Sequence, residues 1–224
     1  MKRFVIIVAG GSGQRMKSSL PKQFLEINKE IILMKSIRAF YNYDSALNII
    51  IALPADQTEY WKKLCNENDF TISHKLVEGG STRFQSVKNA LKEIESDGLV
   101  AIHDGVRPLV SQETIDTVFE IALTNGNAIP YIDCVDSLRQ TEINSNKPID
   151  RNKIKLIQTP QAFECKTILK AYNQDWHESF TDDASVVEQL GLKINLVPGN
   201  RENIKITNQI DLIIAESLSN YLSE

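Results

Sequence analysis

Directly after an apolar run, residues 8–16 read VAGGSGQRM, and LPKQF follows at 20–24. Gly10, Gly11 and Gly13 carry no Cβ, so backbone N–H groups there can close on phosphate oxygens that a bulkier residue would hold away. Arg15 and Lys22 add two cations to the same stretch. Backbone donors beside a guanidinium and an ammonium suit the charge of a phosphoryl-transfer transition state. The spacing argues against two commoner phosphate loops. Read as G-x-G-x-x-G, Gly11 and Gly13 fill the first two positions, but Met16 takes the third. Arg15 also stands where a dinucleotide-binding turn keeps an uncharged approach to pyrophosphate. The pattern G-x-x-x-x-G-K-[ST] does not occur.

Other clusters offer less. No Ser-His-Asp or paired-carboxylate constellation stands out. His103 and Asp104 are neighbours, but adjacent side chains on a strand point to opposite faces, so they make a poor metal pair and His103 reads as structural. His74 and His177 lie among polar residues and read as surface groups. Thr181-Asp182-Asp183 reads as a helix start and is explained by capping.

The elements that must hold the loop follow an α/β rhythm. Residues 4–9 (FVIIVA) are continuous, largely β-branched and end at glycine, as expected of a strand buried on both faces. Residues 47–53, 76–77, 99–103 and 128–132 read as further strands. Residues 32–43 carry Leu33, Ile37 and Phe40 at helical spacing. Further helices are expected at 57–67, 82–95 and 112–124, the last capped by Ser111 with Glu113 in its first turn. Asn208, with Asp211 three residues later, opens a final helix through Leu218. Helices between parallel strands imply a doubly wound sheet with ligands outside the strands' carboxyl ends. One segment breaks the rhythm: in RQTEINSNKPIDRNK (139–153) only Ile143 and Ile149 are apolar. Strand-like flanks at 134–138 and 154–157 border a turn-rich centre at 144–148, which reads as an inserted β-hairpin arm spanning 134–158. A lone hairpin is marginal in water, so it is expected to pack on a second copy of the protein.

Composition bounds the rest. With 224 residues, 42% of them hydrophobic, the chain can build one large core, and a single domain over 1–224 is expected. No apolar run approaches the ~18 residues of a membrane span. The six apolar residues between Arg3 and Gly10 are too few for a signal-peptide core, so a cytoplasmic location is expected. Cys65, Cys134 and Cys165 form an odd set without Cys-x-x-Cys, which indicates neither a disulfide framework nor a zinc knuckle. Twenty-five Lys and Arg against 29 Asp and Glu give a net charge of −4, with no basic block to coat nucleic acid.

Read together, VAGGSGQRM, LPKQF, VEGGSTRFQSV (77–87), HDGVRP (103–108), DCVDS (133–137), IDR (149–151), QTPQ (158–161), TDDAS (181–185) and NIKIT (203–207) resemble a known family along the whole chain. That family comprises the nucleotidyltransferases that attach CTP to small polyol phosphates. The resemblance is greatest to the branch acting on 2-C-methyl-D-erythritol 4-phosphate in non-mevalonate isoprenoid synthesis. The branch acting on ribitol 5-phosphate is the alternative. The fold implied is a Rossmann-like, doubly wound, mostly parallel sheet of nucleotidyltransferase type, with a β-hairpin dimerisation arm.

The resemblance also implies roles. Ala9, Gly10, Gly11 and Gly13 would line the CTP site, with Arg15 and Lys22 on the triphosphate. Gly80, Ser81 and Ser86 would meet cytosine and ribose, and Gly105 would lie against the nucleotide. Asp104, Arg107, Ser137, Thr159 and Lys205 would face the sugar phosphate. Arg151, on the arm, would hold the substrate phosphate in the partner's site, making a homodimer the working unit. Four positions depart from the commoner pattern: the Ala9-Gly10-Gly11 loop, Gly105-Val106 for two alanines, Ser137 for threonine and Ser81 for aspartate. The Gly-Gly loop and the valine before Arg107 also occur in the ribitol branch.

The charges suit these roles. A phosphate monoester carries about −1.5 to −2 near neutral pH and needs no general base to attack. Triphosphate and phosphate together leave about −4 after one Mg²⁺, matched by Arg15, Lys22, Arg151 and Lys205. The metal is expected to ride mainly on CTP phosphates, with Asp104 an outer contact.

Overall fold

The computed structural model describes residues 1–11, 20–95 and 97–222. The chain opens with β1 (Arg3–Val8), a short hairpin of β2 (Glu26–Ile27) and β3 (Glu30–Ile31), α1 (Ile32–Tyr43), β4 (Asn48–Leu53), α2 (Thr58–Glu67) and β5 (Lys75–Glu78). It continues through α3 (Arg83–Leu91), β6 (Leu99–Asp104), α4 (Gln112–Asn125), β7 (Asn127–Asp133), β8 (Leu138–Glu142) and β9 (Ser145–Ile149). It closes with β10 (Lys155–Ile157), β11 (Gln161–Glu164), α5 (Cys165–Ala171), α6 (Asp183–Glu188), β12 (Leu196–Pro198) and α7 (Gln209–Tyr221).

Eight strands form the central sheet in the order β10-β7-β11-β6-β1-β4-β5, with β12 beside β7. Only β10 and β11 run against the rest, so the sheet is mostly parallel. It is wound on both faces, and the side-chain alternation of each strand says why. Val5, Ile7, Ile49, Ile51, Leu99 and Ala101 face one core with α1, α2 and α4 through Ile37, Phe40, Trp61 and Phe119. Phe4, Ile6, Ile50, Val100 and Ile102 face the other with α3, α5 and α6 through Phe84, Val87, Ile168 and Val187. From β1 the chain moves outward to β4 and β5, then returns to β6 on the other side of β1. The crevice between the carboxyl ends of β1 and β6 is therefore the topological switch point, where open α/β sheets bind ligands.

Boundaries follow local chemistry. Ser111 caps α4 by accepting from the Thr114 N–H, and Gly126 closes the same helix in the left-handed region at φ 85°. Capping boxes open α6 (Asp182 with Ser185) and α7 (Asn208 with Asp211). The cap of α6 is thus Asp182 rather than Thr181, and α7 runs on to Tyr221. Helix α3 ends at Leu91, short of the expected 95, because the N–H groups of Glu93 and Ile94 turn back to carbonyls three residues away.

The inserted hairpin is present, with its strands displaced from the expected flanks. Leu138–Glu142 pairs with Ser145–Ile149, so a two-residue turn at 143–144 closes it and the expected turn region is largely strand. Residues 155–157 pair with β7 instead of with the arm. Strand β11, antiparallel between β6 and β7, has no counterpart in the sequence-based expectation. Among the described residues, no helix is long and apolar enough to cross a membrane.

Candidate active site

Two adjoining lobes open at the switch point. The first, of about 250 Å³, is walled by the exit of β1 and by the turn before α3. The Ala9 N–H bonds the Ala52 carbonyl at 3.0 Å and the Gly105 N–H bonds the Val8 carbonyl at 2.9 Å, which clamps the start of the glycine-rich loop between β4 and β6. Buried Gln23 holds it from below, donating to the Ala9 carbonyl (2.8 Å) and to Gln57 Oε1 (2.6 Å). Its neighbour Phe24 packs on Tyr60 and Trp61, anchoring the turn that carries Lys22 to the lobe. A Cβ on Gly11 would stand 3.2 Å from Lys22 Cε, so backbone and ammonium line one wall.

Across the lobe, Thr82 Oγ1 caps α3 by accepting from the Gln85 N–H at 3.0 Å. Ser86 Oγ accepts from the Gly80 N–H (3.0 Å) and donates to the Thr82 carbonyl (2.9 Å), pinning the Gly80-Ser81 turn. Only glycine fits at 80, where a Cβ would fall 2.1 Å from Gln85 Cγ. Ala9, Gly10, Gly11, Gly80, Ser81 and Ser86 all line this lobe. Gly105, between the lining residues Asp104 and Val106, is itself buried. A Cβ there would sit 3.1 Å from Ala9 Cβ, Ile7 Cγ2 and Leu33 Cδ1, so its part is to let the end of β6 approach the loop. Gly13 and Arg15 lie outside the described residues.

Asp104 stands where the lobes meet. Its carboxylate lies 3.4 Å from Arg83 Nε, 3.4 Å from Arg107 Nε and 2.9 Å from Lys205 Nζ. Burial alone would raise its pKa, but the Arg83, Lys205 and Arg107 cations hold it well below the usual carboxylate range. Arg83 also donates from Nη2 to Asp183 at 2.6 Å, and Asp183 accepts from the Tyr172 hydroxyl at 2.6 Å. Burial works against the Arg83 charge, yet Asp183 and Asp104 hold its pKa above the ordinary value. Three cations stand against Asp104 and Asp183, and Asp182 lines the second lobe as a third carboxylate, so charges balance there before Lys22 is counted.

The second lobe, of about 280 Å³, shares Arg83, Asp104 and Lys205 with the first and adds Arg107, Thr159 and Thr181. Arg107 is steered by the Asn203 carbonyl, 2.7 Å from Nη1, and Asn203 Nδ2 donates to the Thr159 carbonyl at 2.8 Å. Thr159 Oγ1 accepts from the Asp104 N–H at 3.0 Å. Asp104, Arg107, Thr159 and Lys205 are therefore brought together. Ser137 and Arg151 are not: both are exposed at the base of the arm, where Arg151 Nη1 donates to the Val135 carbonyl at 2.5 Å. Among the described residues no group of three or more His, Cys, Asp or Glu is placed to hold a metal.

Four contributors went unread in the sequence: Arg83, Asp183, Gln23 and Asn203. Capping explains Asp182 but not the fully buried Asp183. Arg83 had a signal. It is the first residue of α3, where the positive end of the helix disfavours a cation, so it needs buried anions nearby. Gln23 and Asn203 carry no such mark, since a buried amide is recognisable only by its partners.

A lobe of glycine-rich backbone and one of clustered cations, meeting at a single carboxylate, suit a phosphate-rich ligand beside a smaller anion. Comparison with known proteins points the same way. The model of the 2-C-methyl-D-erythritol 4-phosphate cytidylyltransferase family matches residues 4–220. The enzyme of that name from Phocaeicola vulgatus is 50% identical over 218 residues, covering 97% of this chain and all of the relative. The one from Bacteroides thetaiotaomicron is 48% identical over the same length. The crystal structure of the Thermus thermophilus enzyme superposes with a TM-score of 0.79 at 29% identity, over 98% of this chain and all of that one. Matched from its first strand to its last helix, in sequence and in fold alike, the chain belongs to the 2-C-methyl-D-erythritol 4-phosphate cytidylyltransferase family.

Proposed function

We propose that the protein transfers the cytidylyl group of CTP to 2-C-methyl-D-erythritol 4-phosphate, releasing pyrophosphate and 4-diphosphocytidyl-2-C-methyl-D-erythritol. The observation that carries this reading is the pair of lobes sharing Arg83, Asp104 and Lys205, within a chain of this family. CTP occupies the first lobe, its base and ribose along Gly80, Ser81 and Ser86 and its triphosphate at Lys22 and Arg15. The polyol phosphate occupies the second, facing Arg107 and Lys205. A phosphate oxygen of the polyol attacks the α-phosphorus in line, the new O–P bond forms as the bond to the β-phosphate oxygen breaks, and pyrophosphate departs. The attacking dianion holds no proton that must be removed, so positioning and charge compensation carry the catalysis.

Mg²⁺ completes the reading. Asp104 already has its oxygens beside three cations, so the residues fit a metal held by CTP phosphates with Asp104 as an outer contact. When bound, the ion neutralises phosphate charge. The working unit is a homodimer of single-domain chains (1–224) in the cytoplasm. The arm supports this: a two-stranded hairpin with Ile143 99% exposed at its tip has little to hold it in water alone. Crossing to a second protomer, it carries Arg151 to that protomer's substrate phosphate, with Ser137 at the same base.

The test is pyrophosphate release with CTP and Mg²⁺, offering 2-C-methyl-D-erythritol 4-phosphate and ribitol 5-phosphate separately. Release with the first alone is expected. Release with the second alone would move the protein to the ribitol branch, and release with neither would overturn cytidylyl transfer.

A further inference from the structure

His103 is fully buried, and its ring nitrogens meet both sides of the second lobe. Nε2 lies 3.0 Å from the Arg107 carbonyl oxygen and Nδ1 lies 3.1 Å from Thr159 Oγ1. A carbonyl oxygen only accepts, so the ring hydrogen sits on Nε2 and Nδ1 presents a lone pair. The Thr159 hydroxyl must then donate to Nδ1. Its oxygen already accepts from the Asp104 N–H, which leaves one lone pair and no hydrogen for a ligand.

We infer that His103 is a positioning residue that makes Thr159 an obligate hydrogen-bond acceptor, so that Thr159 reads a hydroxyl of the polyol and not its phosphate. This rests on the reading of the second lobe as the polyol-phosphate site. A phosphate dianion has no hydrogen to give, and two acceptors facing each other repel. The phosphate is left to Arg107 and Lys205, with Arg151 arriving on the arm of a second protomer. The hydroxyl-bearing carbon chain runs along Thr159 and the Asp104 carboxylate, which is likewise acceptor-only. Phe40 packs edge-on against the imidazole, with ring centroids 4.9 Å apart, and holds its orientation. Burial pushes the His103 pKa down to about 4, so the ring stays neutral and keeps this tautomer through the neutral range.

Three readouts test the role. In the wild-type protein, ¹⁵N NMR of the imidazole should report a protonated Nε2 and a bare Nδ1; a protonated Nδ1 would overturn the proposal. Thr159→Val keeps the side-chain shape and removes the acceptor. It should raise KM for the polyol phosphate about tenfold, leaving KM for CTP and inhibition by inorganic phosphate unchanged. Equal weakening of inorganic phosphate would mean that Thr159 serves the phosphate. His103→Phe should raise the same KM, and it should add nothing in the Thr159→Val background; additive effects would make His103 merely structural. Should His103→Phe fail to fold, the first two readouts still decide. No turnover of either polyol phosphate by the wild-type protein would sink the substrate reading itself. Normal turnover with a failed readout sinks the positioning role alone.

Discussion

The cleft and the arm are stabilised in opposite ways. In the cleft, the polar groups of the floor are partnered: buried Asp104 and Asp183 answer the partly buried Arg83 and Arg107 and the more exposed Lys205, while buried His103 and Asn203 hold Thr159 and Arg107. Burial makes those pairings strong and makes losing one of them costly. In the arm, strands β8 and β9 are almost wholly exposed, and the large apolar residue at the tip faces water. One region carries its own partners and the other presents its strands to water. The cleft can therefore be organised within one protomer, whereas in the homodimer we propose Arg151 reaches a substrate only where the arm lands.

The sharpest way to break this contrast is Asp104→Ala. Removing the carboxylate that compensates three cations should destabilise the fold by about 3–5 kcal/mol and abolish turnover, read by thermal melting and by pyrophosphate release. An unchanged melting temperature would show the floor to be held by something else. Lys22→Ala acts at the half-buried wall of the lobe and should leave the fold intact while lowering kcat by roughly 10²–10³-fold. Near-normal turnover would remove Lys22 from the transition state, and Arg15→Ala should behave alike.

A smaller effect separates the regions by pH. His103 binds a proton near 6.5 when unfolded and near 4 when folded, because burial disfavours its charged form. Between those values the unfolded chain holds more protons, so stability is complete above pH 6.5 and falls as pH drops towards 4, by roughly 3 kcal/mol. His103→Phe should flatten that slope; a slope unchanged in the variant would place its origin elsewhere. Smallest for folding, yet decisive for the arm, are Arg151→Ala and Ile143→Asp. Arg151→Ala should raise KM for the polyol phosphate about tenfold with little change in melting. Mixed with Lys22→Ala protomers it should regain activity, since one site then combines both intact residues. No recovery would keep Arg151 within its own subunit. Ile143→Asp should weaken dimerisation in sedimentation and leave the melting of the cleft unaltered.

Legibility followed the same contrast. Strand β1 and helix α1 could be read almost to the residue, because a continuous β-branched run and a 3.6-residue apolar period are local signals. The arm's existence could be read from its polarity, but not its register. An alternation of polar with polar leaves no face to bury, and the pairing is decided by the two-residue turn at 143–144. Strand β11 is four residues long, and whether such a run joins the sheet depends on the gap between β6 and β7. In the site, the glycine-rich loop with Lys22 announced itself by composition, and Asp104, Arg107, Thr159 and Lys205 by family resemblance. That Gly105 packs against Ala9, Ile7 and Leu33 was not legible, since a missing Cβ does not say which neighbour needs the space.

By itself, then, the amino-acid order determined the α/β rhythm, the glycine-rich and cationic character of the first loop and the family. These rest on residue type and near-neighbour spacing. The tertiary structure alone decided that Arg83 meets both Asp104 and Asp183, that Gln23 carries the Ala9 carbonyl, and that His103 orients the Thr159 hydroxyl. Each of those contacts joins residues from 14 to 100 positions apart. Hydrogen bonds and ion pairs act over a few ångströms of space, and only the folded sheet brings such residues that close.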